Sequence, residues 1–323
     1  MEPADVNKSP RSCAVVVLGA GRSGTSAVTR GLAALGVDLG NRLRRGWGKN
    51  PTGFFEDRDV LTISRRLKRA LGVRGDSVRL IDDEAWDAPA LAALRDEAVE
   101  TLRARFGENP LWGYKYGRTL RFLPFWEAVH EALDLDVRYV LALRNPLSVA
   151  ASRGRLDPRR GRQQKSDLEW LVNVVPYFRR ARSRPLVAVD FDALLADPEG
   201  QLARIAEALD LPPAEAADIA AYGQGFLNPG MRHSRFTTDD LAARADPLVH
   251  DAYRWLHGLA SDAVGFDDEA LWDDWGRIER ALMAMAGALE QIDHVEDELR
   301  RAKRHPLGAL QALPPLWRRL TRG

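Results

Sequence analysis

Residues 14–26 read AVVVLGAGRSGTS, and this stretch decides the fold. Its first five residues form an apolar run without polar alternation, which is typical of a parallel strand buried on both faces. Glycines punctuate residues 19–24, and residues 25–35 then have a helical pattern that ends at Gly36. Strand, tight loop and helix in this order indicate the phosphate-binding start of an α/β domain.

Strand and helix patterns alternate along the chain as far as residue 245. Further strands are predicted at 111–116, 137–143 and 186–191. Helices are predicted at 57–71, 89–106, 124–133, 167–182, 198–209 and 213–222, with another starting at Pro146, and basic loops at 39–53 and 157–165. This alternation predicts an α/β domain over residues 13–245, with a central parallel sheet flanked by helices, after a flexible tail at 1–12. Strand signals stop after Asp246, so residues 246–323 are expected to form a helical C-terminal extension.

Composition and charge exclude several functional classes. The 323 residues carry a formal net charge of +1, from 47 basic and 46 acidic side chains, so no global field draws the chain to nucleic acid. Cys13 is the only cysteine, which excludes an intramolecular disulfide and a thiolate zinc site, and no other metal site is expected. With no leader pattern and no apolar run of membrane length, the expected location is the reducing cytoplasm.

The glycine-rich loop permits three interpretations. Read as GxGxxG, it matches a dinucleotide-binding loop, and Asp38 lies at the distance expected of the ribose-binding acid, but no apolar strand precedes that acid. Read as GxxxxGK[ST], the loop has Thr25 where the phosphate-binding lysine of an NTPase belongs. Read as a phosphosulfate loop, it places its cation earlier, at Arg22, above the bond that breaks. Backbone N–H groups, the helix N-terminus and two hydroxyls would then hold the phosphate, with the binding residues Gly21, Arg22, Ser23, Gly24, Thr25 and Ser26.

A second phosphate-binding pattern follows the strand at 137–143. Arg144 stands at the carboxyl end of that strand, and Ser152 lies about two helical turns further along. An arginine and a serine placed in this way can grip one phosphate from two sides. Two such phosphate-binding patterns, at two strand–helix junctions of one sheet, imply a nucleotide with phosphates at both ends of its ribose.

The two patterns together resemble those of the PAPS-dependent sulfotransferase family, and segments at 50–57, 112–115 and 189–198 resemble its bacterial branch in the same order. The resemblance implies a P-loop-like sulfotransferase fold, PAPS (3′-phosphoadenylyl sulfate) as the donor, PAP as the product and no metal. The chain departs from the family at Tyr116 and Gly117, which follow Lys115 where an Asp-Pro pair is usual. A glycine-rich basic loop over the 3′-phosphate is also missing, and Arg232 and Arg235, in the nearest basic segment, are expected to serve instead.

Sulfuryl transfer needs a base for the proton of the acceptor and positive charge around the group in flight. Glu56 is the predicted base, because it follows a glycine-bearing loop, opens a helix and matches the family's Glu type. His233 is a weaker alternative. Lys115 is one of six lysines in the chain and is expected to bind the sulfuryl group or the acceptor. With Arg22, these residues form the predicted catalytic set, and the acceptor is expected to offer a hydroxyl or amine, as on a carbohydrate or glycolipid.

The C-terminal extension leaves several alternatives open. Apolar residues recur in heptads from Leu271 to Ile292, which favours either a long helix packed on its own domain or the seam of a homodimer. The basic, leucine-bearing segment 305–323 is expected to dock on protein or to contact an anionic membrane surface peripherally. Two other functions also remain: an NAD(P)-binding enzyme that uses residues 19–24, and a non-catalytic nucleotide-binding assembly protein.

Overall fold

The structure is a computed structural model that describes residues 11–46, 53–227, 230 and 234–304. Four strands are present, namely β1 (Cys13–Leu18), β2 (Leu111–Lys115), β3 (Asp136–Leu143) and β4 (Leu186–Asp190). The helices of the first half are α1 (Thr25–Ala34), α2 (Arg58–Ala70), α3 (Pro89–Phe106), α4 (Leu123–Ala132), α5 (Pro146–Gly154) and α6 (Gln163–Val174). Those of the second half are α7 (Phe191–Ala196), α8 (Pro198–Ala208), α9 (Ala216–Ala221), α10 (Thr238–Arg244), α11 (Pro247–Ala260), α12 (Glu269–Ala284) and α13 (Ala286–Arg304).

The four strands form one parallel sheet in the order β2-β1-β3-β4, which confirms the predicted α/β class. After β1 the chain places β2 on one side and β3 on the other, so the strand order reverses around β1. Crevices at such reversal points, outside the carboxyl ends of parallel strands, are where open α/β sheets bind ligands. The loops that follow β1, β2 and β3 therefore define the candidate site.

Helices cover both faces of the sheet because β1 is apolar on both sides. Ala14, Val16 and Leu18 point into the larger core, while Val15 and Val17 point into a smaller core that includes α1 and α8. All five side chains are fully buried. A strand buried on both faces reads as a continuous apolar run, which is the pattern that predicted it.

Three predicted boundaries were wrong, each for a local reason. The predicted loop at 157–165 ends early, because α6 already begins at Gln163. The predicted helix at 167–182 is broken after Val174, because Pro176 cannot continue it, and a 3₁₀ segment follows at Phe178–Ser183. The predicted strand at 186–191 ends at Asp190, whose carboxylate accepts hydrogen bonds from the backbone N–H groups of the first turn of α7.

The heptad stripe packs against the chain's own core. Trp275, Leu282 and Leu289 are buried in the same cluster as the sheet residues, and the stripe is interrupted at Met285, between α12 and α13. This arrangement is the own-domain alternative, and a homodimer through 271–292 stays a prediction. Segment 305–323 lies outside the described residues. Among the helices that are described, none combines the length and apolarity needed to cross a membrane.

Candidate active site

Two positions in the loop after β1 require glycine. Gly19 and Gly24 have positive φ angles of 130° and 84°. A Cβ on Gly24 would lie 2.3 Å from Cδ2 of Phe191, and one on Gly19 would lie 2.5 Å from the carbonyl oxygen of Ala142. Gly24 is also the residue before α1, and it offers no side chain to cap that helix. The first N–H groups of α1 are therefore left for a ligand, as expected of an anion site.

Arg22 joins the two predicted phosphate-binding patterns. It has a positive φ of 82°, unusual for a residue with a side chain, and its Nε donates a hydrogen bond of 2.9 Å to Oγ of Ser152 on α5. Burial, with Arg155 nearby, lowers the pKa of the Arg22 guanidinium. The loops after β1 and β3 thus meet at one point, although 130 residues separate these two side chains.

Arg144 is buried with unsatisfied donors. Its side chain follows β3, is 5% exposed, and lies over the ring of Phe191 at 4.6 Å from the ring centroid. Neither Nε nor Nη2 has a hydrogen-bond partner among the described residues, and burial lowers the pKa of the guanidinium. Buried polar groups are normally paired, so this arginine fits a phosphate that supplies the missing acceptors. The hydroxyls of Ser23 and Ser148 are likewise buried without a partner in this part of the chain.

Lys115 and Glu56 form an ion pair beside the glycine loop. Nζ of Lys115 lies 3.3 Å from Oε1 of Glu56 and 3.4 Å from Oγ of Ser26. The lysine is only 3% exposed, and this burial lowers its pKa in spite of the Glu56 carboxylate. The register of the sheet explains the position, because Lys115 ends β2 directly opposite Val17 of β1. The structure therefore brings the predicted base and the predicted lysine to the loop that carries Ser26.

Arg44 also belongs to this group, and the sequence reasoning missed it. Its Nη1 donates a hydrogen bond of 3.1 Å to Oε2 of Glu56, and its guanidinium lies over the ring of Phe54 at 4.0 Å. The backbone carbonyl of Phe54 accepts a hydrogen bond of 3.3 Å from Oγ of Ser26. Lys115 and Arg44 thus each contact a different oxygen of the Glu56 carboxylate. Arg44 lay in a loop already rich in arginine, so no local signal distinguished it.

Asp38 is placed where it cannot serve a dinucleotide at the glycine loop. Its backbone pairs with the start of β2, the N–H with the carbonyl of Leu111 and the carbonyl with the N–H of Gly113. Its carboxylate accepts hydrogen bonds from Asn109 and from the backbone of Gly40. These contacts lie toward the amino end of β2, whereas the glycine loop follows the carboxyl end of the neighbouring strand. The dinucleotide interpretation therefore loses its acid.

The remaining predicted residues are less informative. Arg235 is exposed, while Arg232 and His233 lie outside the described residues. Trp112, in one of the segments that resemble the family, stacks on Phe106 in the core, with ring centroids 4.3 Å apart. The described ranges contain no group of three or more His, Cys, Asp or Glu side chains that could hold a metal ion.

Comparisons with known proteins give distant structural likenesses only. No family model matches the sequence, and no curated protein matches it significantly. The sulfotransferase domain from the Synechococcus PCC 7002 olefin synthase is 16% identical over 86% of this chain and 96% of that chain, with a TM-score of 0.42. The sulfotransferase domain from the curacin biosynthetic pathway is 17% identical over 85% of this chain and 99% of that chain, with a TM-score of 0.39. At this distance the functional argument rests on the contacts described above.

Proposed function

We propose that this chain is a sulfotransferase that moves a sulfuryl group from PAPS to a hydroxyl or amine. The observation that carries the proposal is the 2.9 Å hydrogen bond between Arg22 and Ser152. It joins the loop suited to a 5′-phosphosulfate to the helix suited to a 3′-phosphate, as a donor with phosphates at both ends of its ribose requires. An ordinary mononucleotide or NAD would leave one of the two phosphate-binding patterns without a phosphate.

Each end of the donor has its own residues. The backbone N–H groups of residues 22–26 and the uncapped start of α1 suit the 5′ end, where Gly24 permits close approach. Arg144 suits the 3′-phosphate, because its buried donors lack partners among the described residues. Ser152 lies on the helix that follows Arg144 and so supports the same phosphate. Arg235 and Arg232 are proposed to screen this phosphate from the side.

The transfer step needs one proton acceptor and one place for negative charge. A bond forms between the acceptor oxygen or nitrogen and sulfur, and the bond between sulfur and the bridging phosphate oxygen breaks, so that PAP leaves. Glu56 takes the proton that the acceptor loses. Arg22 and Lys115 stabilise the negative charge that develops on the transferring group and on the leaving phosphate in the transition state.

The direct test is transfer of labelled sulfate from PAPS to acceptors in a cell extract, followed by identification of the labelled products. The wild-type protein is expected to label at least one product, and Glu56→Gln is expected to reduce the rate by about 10²- to 10⁴-fold, as loss of a general base does. Glu84→Gln, which makes the same change at an exposed glutamate, is the matched control. Wild-type rates in Glu56→Gln would overturn the assignment of the base. Binding of PAP without transfer to any acceptor would favour a non-catalytic nucleotide-binding protein.

A further inference from the structure

A cavity opens beside Arg22 of the glycine loop, and neither Glu56 nor Lys115 lines it. It has a volume of about 160 Å³, and its walls include Gly21, Arg22, Gly117, Arg118 and Arg160. The cavity adjoins the proposed active site, because Arg22 belongs to the proposed donor site and Gly117 lies two residues after Lys115. Whole-ligand sites usually occupy about 300–1,000 Å³, so this cavity suits one end of a molecule whose other end reaches the reacting centre.

Two glycines form part of the cavity wall. Gly117 and Gly21 face each other, and a Cβ on Gly117 would lie 3.7 Å from Cα of Gly21. A Cβ on Gly161 would lie 2.1 Å from Cα of Gly154, so the loop between α5 and α6 can close only with glycine at residue 161. This loop carries the wall residues Leu156, Asp157 and Arg160. Gly117, which stands where the family usually has proline, presents no side chain to this wall.

The charge of the walls is positive. Four arginines line the cavity, against the two carboxylates of Asp157 and Glu169. Glu169 is already taken up by Arg160, at 3.0 Å from Nε and 2.6 Å from Nη2, and by Arg153 at 3.8 Å. Asp157 lies 3.8 Å from Arg159, which is not part of the wall.

Arg22 and Arg118 are the two wall cations with no carboxylate within ion-pair distance among the described residues. Arg118 donates one hydrogen bond, from Nη2 to the carbonyl of Gly75, while its Nε has no partner in the same part of the chain. Burial, together with the charges of Arg160 and Arg118, lowers the pKa of the neighbouring Arg153 guanidinium to about 10. Since Arg22 is assigned to the donor, Arg118 is the cation left for another ligand.

We propose that this cavity binds an oxyanion on the acceptor, a carboxylate or a phosphate, with Arg118 as its main contact. The acceptor is then an anionic alcohol, phenol or amine, rather than a neutral one. The inference rests on the proposed function, because it assigns the donor to Arg22 and Arg144 and the acceptor to the remaining cation. Arg118 is a specificity-determining residue in this account, and the transfer chemistry stays with Glu56, Lys115 and Arg22.

The test measures binding rather than turnover, by titrating small hydroxyl compounds into protein saturated with PAP. Each compound is offered as its carboxylate, as its phosphate monoester and as its uncharged amide, so the two anion sources are distinguished. At least one anion series is expected to bind about 10- to 100-fold more tightly than the amides, as one charge-assisted hydrogen bond provides. Arg118→Gln is expected to abolish the preference without changing the affinity for PAP. Arg65→Gln is the matched control, because it removes an equal charge from an exposed residue that does not line the cavity.

The outcomes separate this inference from the function beneath it. If the wild-type protein binds PAP but binds anions no better than amides, or if Arg118→Gln keeps the preference, the anion site is refuted while the sulfotransferase proposal stands. If the wild-type protein does not bind PAP, the proposed function fails, and the acceptor assignment fails with it.

Discussion

Arg144→Met separates ligand binding from stability more sharply than any other substitution in the site. In the wild-type protein, two donor nitrogens of Arg144 are buried without partners among the described residues. If each donates to the 3′-phosphate, with about 1.5–3 kcal/mol for each charge-assisted bond, the substitution costs about 3–6 kcal/mol of binding free energy. The affinity for PAP is then expected to fall by about 10²- to 10⁴-fold.

The same substitution is expected to leave the ligand-free protein as stable as the wild type or more stable. Removing a buried cation relieves a desolvation cost of about 1–3 kcal/mol per unsatisfied group, against about 0.5–2 kcal/mol lost with the stacking on Phe191. Isothermal titration and thermal unfolding with and without PAP measure the two effects. Adenosine 5′-monophosphate, which lacks the 3′-phosphate, is expected to bind both proteins equally.

Arg244→Met is the matched control, because Arg244 also stacks on a phenylalanine, with 4.9 Å between its guanidinium and the Phe236 ring. It is expected to leave PAP binding unchanged. An affinity of Arg144→Met for PAP within about threefold of the wild-type affinity would show that Arg144 does not bind the 3′-phosphate. A ligand-free Arg144→Met protein less stable than the Arg244→Met control would contradict the expected effect on stability.

Three further substitutions test other parts of the account. Arg22→Ala is expected to lower kcat more than it weakens PAP binding, because Arg22 acts on charge that develops in the transition state; equal effects on steady-state rates and on titrated affinity would contradict that role. The pKa of Lys115 is lowered from its ordinary 10.5, so between the lowered value and 10.5 the unfolded chain binds more protons than the folded chain. The free energy of unfolding of the wild-type protein therefore increases with pH in this range. Lys115→Met is expected to reduce this increase, as measured by urea unfolding. A slope in Lys115→Met equal to that of wild type would count against the burial of a charged lysine. Gly24→Ala is expected to lower the free energy of unfolding by about 1–3 kcal/mol more than Gly36→Ala, because both have positive φ but only Gly24 would place a Cβ against Phe191; equal losses would show that the contact is harmless.

Much of the sheet could be predicted because its signals are local. The strand at Cys13–Leu18 is a continuous apolar run, and its boundary glycines are set by backbone geometry within the loop itself. A helix was predicted to begin at residue 57, and Oδ1 of Asp57 accepts hydrogen bonds from the N–H groups of Asp59 and Val60 at the start of α2. These features depend on a few consecutive residues, so a single sequence contains them.

The parts of the site that escaped prediction depend on distant contacts. Arg44 and Arg118 are two of 41 arginines. Nothing near them in the sequence indicates that Arg44 contacts Glu56 or that Arg118 lines the cavity without a carboxylate partner among the described residues. The approach of Gly161 to Gly154 likewise appears only once α5 and α6 are packed. The heptad stripe gave an ambiguous signal for the opposite reason, since own-domain packing and a dimer seam require the same spacing.

The central claim is that one nucleotide with phosphates at both ends of its ribose fills the crevice between the loops after β1 and β3. Isothermal titration of the wild-type protein with PAP, adenosine 5′-monophosphate, adenosine 3′-monophosphate and NAD tests it most directly. PAP is expected to bind at least about 100-fold more tightly than either monophosphate, because each phosphate has its own charge-assisted contacts, and NAD is not expected to compete. Binding of NAD in preference to PAP, or equal affinity for PAP and a monophosphate, would contradict it.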